Sequence, residues 1–173
     1  GEQKLKAAFA TRDMVSLRGI AMQPDGSLMY VADREMGILV VDFIGQKAAK
    51  LVVPETLNVG GIDGLYLWDN HLVIIQNGIK PQRVMRLQLN SSGTEVTAVR
   101  PLAVAQAAFD FPSFGTLDGK DLYYFANSHW SGAEGQLKAV SVVRTVVDSN
   151  EDLVLPEMQL YLEQQRQQAD RQQ

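Results

Sequence analysis

The chain has no cysteine, so it holds no disulfide and no thiolate-ligated metal. Histidine is nearly absent too. His71 and His129 are the two, too few for a three-histidine metal centre within the chain. There is no basic excess: 16 Lys and Arg stand against 20 Asp and Glu, a formal net charge of -4, which argues against nucleic acid as a partner. No apolar run approaches the roughly 20 residues of a membrane-spanning helix. Residues 1–10, GEQKLKAAFA, carry no signal-peptide pattern. No address fixes a compartment, and a soluble periplasmic or secreted protein is expected over a cytoplasmic one. What remains is ample for a core, since 46% of the 173 residues are hydrophobic.

The chain is organised around Gly61–Gly78, GIDGLYLWDNHLVIIQNG. Two short apolar strands, Ile62–Trp68 and His71–Gln76, flank Asp69-Asn70. Both turn residues tolerate left-handed backbone, which suits a primed hairpin turn. Related hairpins precede and follow it. In Arg18–Gly37 the strands Leu17–Gln23 and Leu28–Asp33 flank Pro24-Asp25-Gly26, where proline presets φ and glycine accepts a positive φ. In Phe114–Gly132 the strands Ser113–Leu117 and Asp121–Asn127 flank Asp118-Gly119. Further strands are expected at Gly37–Phe43, Ala48–Val53, Gln82–Leu89 and Glu95–Leu102, with a β-branched run over Leu137–Val147.

Gly19, Gly64 and Gly115 hold equivalent places in the three hairpins, 45 and 51 residues apart. Four strands at periods of roughly 40–50 residues are the dimensions of propeller blades. VIIQ and YYFA are apolar at successive positions, so those strands are expected to be covered on both faces. A β-sandwich of similar strands is the other all-β arrangement, and it accounts less well for the period. The expected fold is therefore a partial β-propeller of about two and a half to three four-stranded blades. The divisions are 1–16 (a leader or the remnant of a preceding blade), 17–54, 55–104 and 105–150, then a helical or disordered Gln-rich tail over 151–173. Since closed propellers take about 4–8 blades, remaining blades or a second copy are expected to complete the ring.

The start of a first strand and the end of a second strand share one rim of an antiparallel hairpin. That places Arg18, Asp63 and Ser113 with Asp33, Arg34, Gln76, Asn77, Asn127, Ser128 and His129 on one rim, while the tight turns take the other. Convergent polar groups around a channel are the expected ligand-binding rim. Asp33, Gln76 and Asn77 also suit turn and corner roles. His129 could do acid–base work near neutral pH or simply sit satisfied in a surface loop.

The stretches GIDGLYLWDNHLVIIQNG and RGIAMQPDGSLMYVAD resemble the blades of the gluconolactonase/regucalcin and strictosidine-synthase-like six-bladed propellers, over roughly Leu17–Ser128. In the lactonase branch a divalent metal, usually calcium, is held in the channel by a Glu, an Asn and an Asp. The resemblance maps that Asp onto Asp63 in IDGL. The Asn position falls on Arg18 in RGI, and the Glu belongs to a first blade outside this chain. A guanidinium is always charged and repels a cation, so Arg18 is expected to pair with Asp63 or to hold an anionic ligand. Two functions follow. One is a binding or scaffolding propeller that presents its polar rim to a small molecule or protein. The other is a metal-dependent lactonase or esterase with Asp63 as a metal ligand.

Overall fold

Strand His71–Gln76 lies at the centre of the computed structural model, which describes residues 5–129, 139–151 and 153. Leu72, Val73, Ile74 and Ile75 are all fully buried. Successive strand residues point to opposite faces, and here each face has its own core. Leu72 and Ile74 pack with Tyr30, Ile38, Val40 and Leu65, whereas Val73 and Ile75 pack with Val84, Leu122, Tyr124 and Val147. A continuous apolar run is thus the sequence of a strand sandwiched between two neighbouring sheets.

The eleven strands among the described residues form three antiparallel sheets. The first is β1 (Leu17–Met22), β2 (Leu28–Asp33), β3 (Gly37–Asp42) and β4 (Lys47–Lys50), in that order. The second is β5 (Ile62–Trp68), β6 (His71–Gln76), β7 (Arg83–Leu89) and β8 (Val96–Val104), again in order. The third has β9 (Ser113–Asp118), β10 (Asp121–Phe125) and β11 (Val142–Val146). The first strands touch across sheets, β1 on β5 and β5 on β9. Meandering sheets that share an inner line of first strands are blades around an axis, and the architecture is a partial β-propeller.

Several sequence-derived details shift. Strand Ala48–Val53 is shorter, ending at Lys50. Val52 leaves the sheet and bridges Glu95 of the next blade, with Val52 N–H donating to Thr94 O and Val96 N–H to Val52 O. In the Asp69-Asn70 turn only Asp69 is left-handed, at φ 49°. Asn70 instead donates its side-chain amide to Leu89 O at 2.8 Å, tying the turn to β7. The both-faces-covered reading holds for β6 and fails for β10, where Tyr123 and Phe125 are about two-fifths exposed. The third sheet is terminal among the described residues, so only its Leu122 and Tyr124 face meets a neighbour. At the other end β1 exposes Leu17, Ile20 and Met22. Residues 5–16 form no strand. Of the expected tail over 151–173, residues 152 and 154–173 lie outside the described residues, as does Trp130. Among the described residues no helix is long and apolar enough to cross a membrane.

Candidate functional site at the channel mouth

The same irregularity recurs at the start of every inner strand. Leu17 pairs with Asp33 and Ile20 with Val31; Ile62 pairs with Gln76 and Gly64 with Ile75; Ser113 pairs with Phe125 and Gly115 with Tyr124. Each first strand thus carries one extra residue, a β-bulge, which turns a side chain out of the ladder. By the glycine alignment, the residues just before these glycines are Arg18, Asp63 and Phe114. The glycines themselves are fixed by close approach. A Cβ on Gly19 would lie 2.8 Å from Leu65 N, and one on Gly115 would overlap the Tyr123 carbonyl. The glycine period that marks the repeat is the mark of these bulges.

Asp63 is 1% exposed and lies between two guanidinium groups. Its Oδ1 is 3.4 Å from Arg18 Nε and 3.4 Å from Arg34 Nη1. Arg34 Nη1 also donates to Asn77 Oδ1 at 2.8 Å, and Asn77 Nδ2 donates to Pro112 O at 2.9 Å. One cluster therefore joins the first blade (Arg18, Arg34), the second (Asp63, Asn77) and the approach to the third (Pro112). Asp63 Oδ2 is buried and has no hydrogen-bond partner among the described residues. The backbone holds the arrangement: Gly61 N–H donates to Arg34 O at 2.7 Å, and Gly61 O accepts from Asn77 and Gly78 N–H. Gly61 has φ 68°, and a Cβ on Gly78 would meet Gly61 Cα at 2.6 Å and Arg34 Nη2 at 3.0 Å. The Gly61–Gly78 contact is thus what leaves room for the Arg34 guanidinium.

The remaining rim residues hold the protein's own backbone. Asp33 is fully buried; its Oδ2 accepts from Val15 and Ser16 N–H and its Oδ1 from Glu35 and Met36 N–H. Burial pushes its pKa up, but those four donors outweigh it and bring it from 3.8 to about 2. Gln76 donates to Asn58 O and Gly60 O and accepts from Arg83 Nε. Asn127 closes a different corner, donating to Ala139 O and accepting from Ser141 N–H. His129 Nε2 lies 3.4 Å from the Asn127 amide, and the residue is left-handed at φ 57°. Ser128 Oγ is buried, with no hydrogen-bond partner among the described residues.

Sequence reasoning missed Tyr66. Its hydroxyl accepts from Gly115 N–H at 2.6 Å, joining the second blade to the third at the bulge. Burial raises its pKa, and the Asp63 charge adds to the rise. A tyrosine two residues after a bulge glycine reads as ordinary strand sequence, so no signal marked it. A cavity of about 760 Å³ lies elsewhere, between β8 and β11 against Leu102, Phe109, Tyr124 and Val143. The convergent charged groups lie at the inner-strand ends, not there.

A divalent cation at Asp63 would find one carboxylate flanked by two guanidinium charges, with the Asn77 carbonyl oxygen already accepting from Arg34. Hard cations take several oxygen ligands, and this donor set fits one poorly. No group of three or more His, Asp or Glu among the described residues is placed to hold a metal ion.

No protein family matches the chain, and no curated protein does. Solved structures do match. The PQQ-bound aldose sugar dehydrogenase of Streptomyces coelicolor aligns with 78% of this chain at 13% identity and a TM-score of 0.51. A luciferin-regenerating enzyme aligns with 77% at 18% identity and a TM-score of 0.52. Both are β-propeller proteins, and the likeness establishes the fold. The matched region spans 44% and 45% of those chains, so this chain covers less than half of either.

Proposed function

We propose that the chain forms part of a ligand-binding propeller of the six-bladed kind, which takes a small molecule at the channel mouth through Arg18, Arg34, Asp63 and Asn77. The observation that carries this reading is the convergence of those four side chains from two blades, Arg18 and Asp63 on bulged inner strands and Arg34 and Asn77 just after the second strands. Polar groups gathered at a concave mouth on a rigid scaffold are the usual makings of a binding site. The names of the two structural neighbours refer to a sugar, to PQQ and to luciferin, which supports a small molecule over a protein as the occupant. The hydrolase reading has the unpartnered Asp63 oxygen in its favour and the two guanidinium groups against it.

A thermal-shift panel of neutral sugars, small carboxylates and nucleotides on the purified chain tests this. At least one class is expected to raise the melting temperature of the wild type and not that of Asp63→Asn. A panel with no stabilising compound would count against the site.

The apolar side chains on the two end faces, Leu17, Ile20 and Met22 on β1 and Phe114, Tyr123 and Phe125 on β9 and β10, support closure of the ring by further blades. For the isolated chain the available source is a second copy. Light scattering is expected to give twice the 19.1 kDa chain mass, and a monodisperse monomer would refute the pairing.

A further inference from the structure

At the rim opposite the Asp63 cluster, the second blade presents a row of side chains to the third. Trp68 pairs with His71, Val73 with Arg86, and Arg86 with Arg100, so these residues share one face of the sheet. That face is the one whose Val73 packs on Leu122, Tyr124 and Val147. The His71 ring lies against Trp68, with centroids 5.3 Å apart, and the Arg86 guanidinium lies over the same indole at 6.0 Å. From there Arg86 reaches across to the third blade. Its Nη1 donates to Val147 O at 2.7 Å and its Nη2 to Asn150 Oδ1 at 3.0 Å. Val147 is fully buried, and its own N–H donates to Lys120 O at 2.8 Å. Arg86 is therefore a clasp between the second and third sheets. His71 shares with it the indole and a cavity of about 200 Å³. His71 Nδ1 is buried, with no hydrogen-bond partner among the described residues.

We propose that His71 is a pH-sensitive latch on this joint: beside the neutral ring Arg86 clasps the third blade, and protonation of the ring weakens the clasp. Two features carry the inference. Protonation sets a second positive charge beside Arg86, on the indole they share. It also gives the buried Nδ1 a proton that no described group is placed to receive, which is costly. The other charged groups around the ring are Asp69 in the adjoining turn, which favours the proton, and Arg100 of β8, which lines the same cavity and donates to Glu151 O at 2.9 Å. Asp148, after β11, is paired with Lys120 at 3.6 Å. Burial, and then the Arg86 charge, hold the His71 pKa below the ordinary 6.5 against the Asp69 charge and the Trp68 carbonyl. Linkage makes the coupling reciprocal: a clasp that disfavours the proton is disfavoured by it. The unfolded chain takes up this proton first, so the joint is at full strength above pH 6.5 and weakens as pH falls through 6.5 towards the lower folded pKa.

Histidine-ring NMR titration and amide hydrogen exchange on the purified chain test the inference. The chain has two histidines, so His129→Gln assigns the His71 resonance. The His71 ring is expected to titrate below 6.5, and Arg86→Gln is expected to move that midpoint up towards it. The Val147 amide reports on the joint. Corrected for the intrinsic pH dependence of exchange, its protection is expected to fall about threefold or more between about pH 7.5 and 5.5. His71→Phe keeps an aromatic ring without a titrating nitrogen, and is expected to hold Val147 protection constant over that range. Wild-type protection at Val147 that ignores pH would overturn the inference, and needs no variant to be folded. So would a His71 midpoint that Arg86→Gln leaves unmoved, or a His71→Phe chain that loses Val147 protection as the wild type does.

Discussion

Replacing Asp33 by alanine is expected to remove about 4 kcal/mol of stability at neutral pH, measured by urea unfolding. Four backbone N–H groups converge on this one side chain, at 2.5 to 3.0 Å. The side chain is fully buried, and each donor left without a partner costs about 1–3 kcal/mol, less where water reaches it. Asp33→Asn keeps the shape but halves the acceptor capacity and removes the charge, so a loss of about 2 kcal/mol is expected. The wild type carries the same interaction in its pH dependence. The folded pKa, about 2, lies below the ordinary value of 3.8, so the carboxylate stabilises the fold above about pH 4. As pH falls through 4 towards 2 the proton binds the unfolded chain more readily, and on the order of 1–2 kcal/mol is lost. Asp33→Asn is expected to flatten that part of the pH profile. A wild-type profile that is already flat between pH 4 and 2 would show that the four donors do not hold an ionised carboxylate.

The second large effect is expected at the bulge glycines. Gly19→Ala places a methyl 2.8 Å from the Leu65 backbone nitrogen, across the joint between the first and second blades. Gly115→Ala drives one into the Tyr123 carbonyl, beside the N–H that binds Tyr66. Backbone on the other side of the contact cannot step aside as a flexible side chain would. Each substitution is therefore expected to cost about 3 kcal/mol, at the upper end of ordinary overpacking. Gly119→Ala is the control: its φ of 57° is unfavourable for alanine but the space around it is open, so a loss of only about 1 kcal/mol is expected. Equal losses at Gly19, Gly115 and Gly119 would mean that β1 does not approach β5, nor Gly115 the Tyr123 carbonyl, as described.

These glycines also show why so much of the fold was legible. A residue without a side chain is required where the bulge presses the inner strand against its neighbour, Gly19 on Leu65 of the next blade and Gly115 on Tyr123 of its own, so the packing of the repeat is printed in the sequence at a regular interval. Strands β2, β5 and β6 were readable to the residue, because their apolar runs end abruptly at polar corners or turns. The edges were less readable. Val52 looks like the continuation of β4, and only its pairing with Glu95 in the next blade shows otherwise. Tyr123 and Phe125 are as apolar as Val73 and Ile75, and nothing local says that the third sheet has a neighbour on one face alone.

The clustering of side chains at the candidate site was legible, and their division of labour was not. Arg18, Arg34, Asp63 and Asn77 stood among the candidates because hairpin geometry puts strand starts and strand ends on one rim. Which of the rim residues face the channel and which tie down backbone depends on the bulge, and a bulge of one residue leaves no composition signal except its glycine. Asp33 and Gln76 sit one position away from the residues that turn outward, and that single position sends them into the corner, where four N–H donors and two carbonyls wait for partners.

The most direct test of the account is a double-mutant cycle on unfolding free energy with Arg34→Gln and Asp63→Asn. The two residues come from different blades, so their energies couple only if the first and second blades meet at the channel mouth and the guanidinium faces the buried carboxylate. A coupling of about 1 kcal/mol or more is expected for a contacting charged pair. Additive losses, within about 0.3 kcal/mol, would contradict the account.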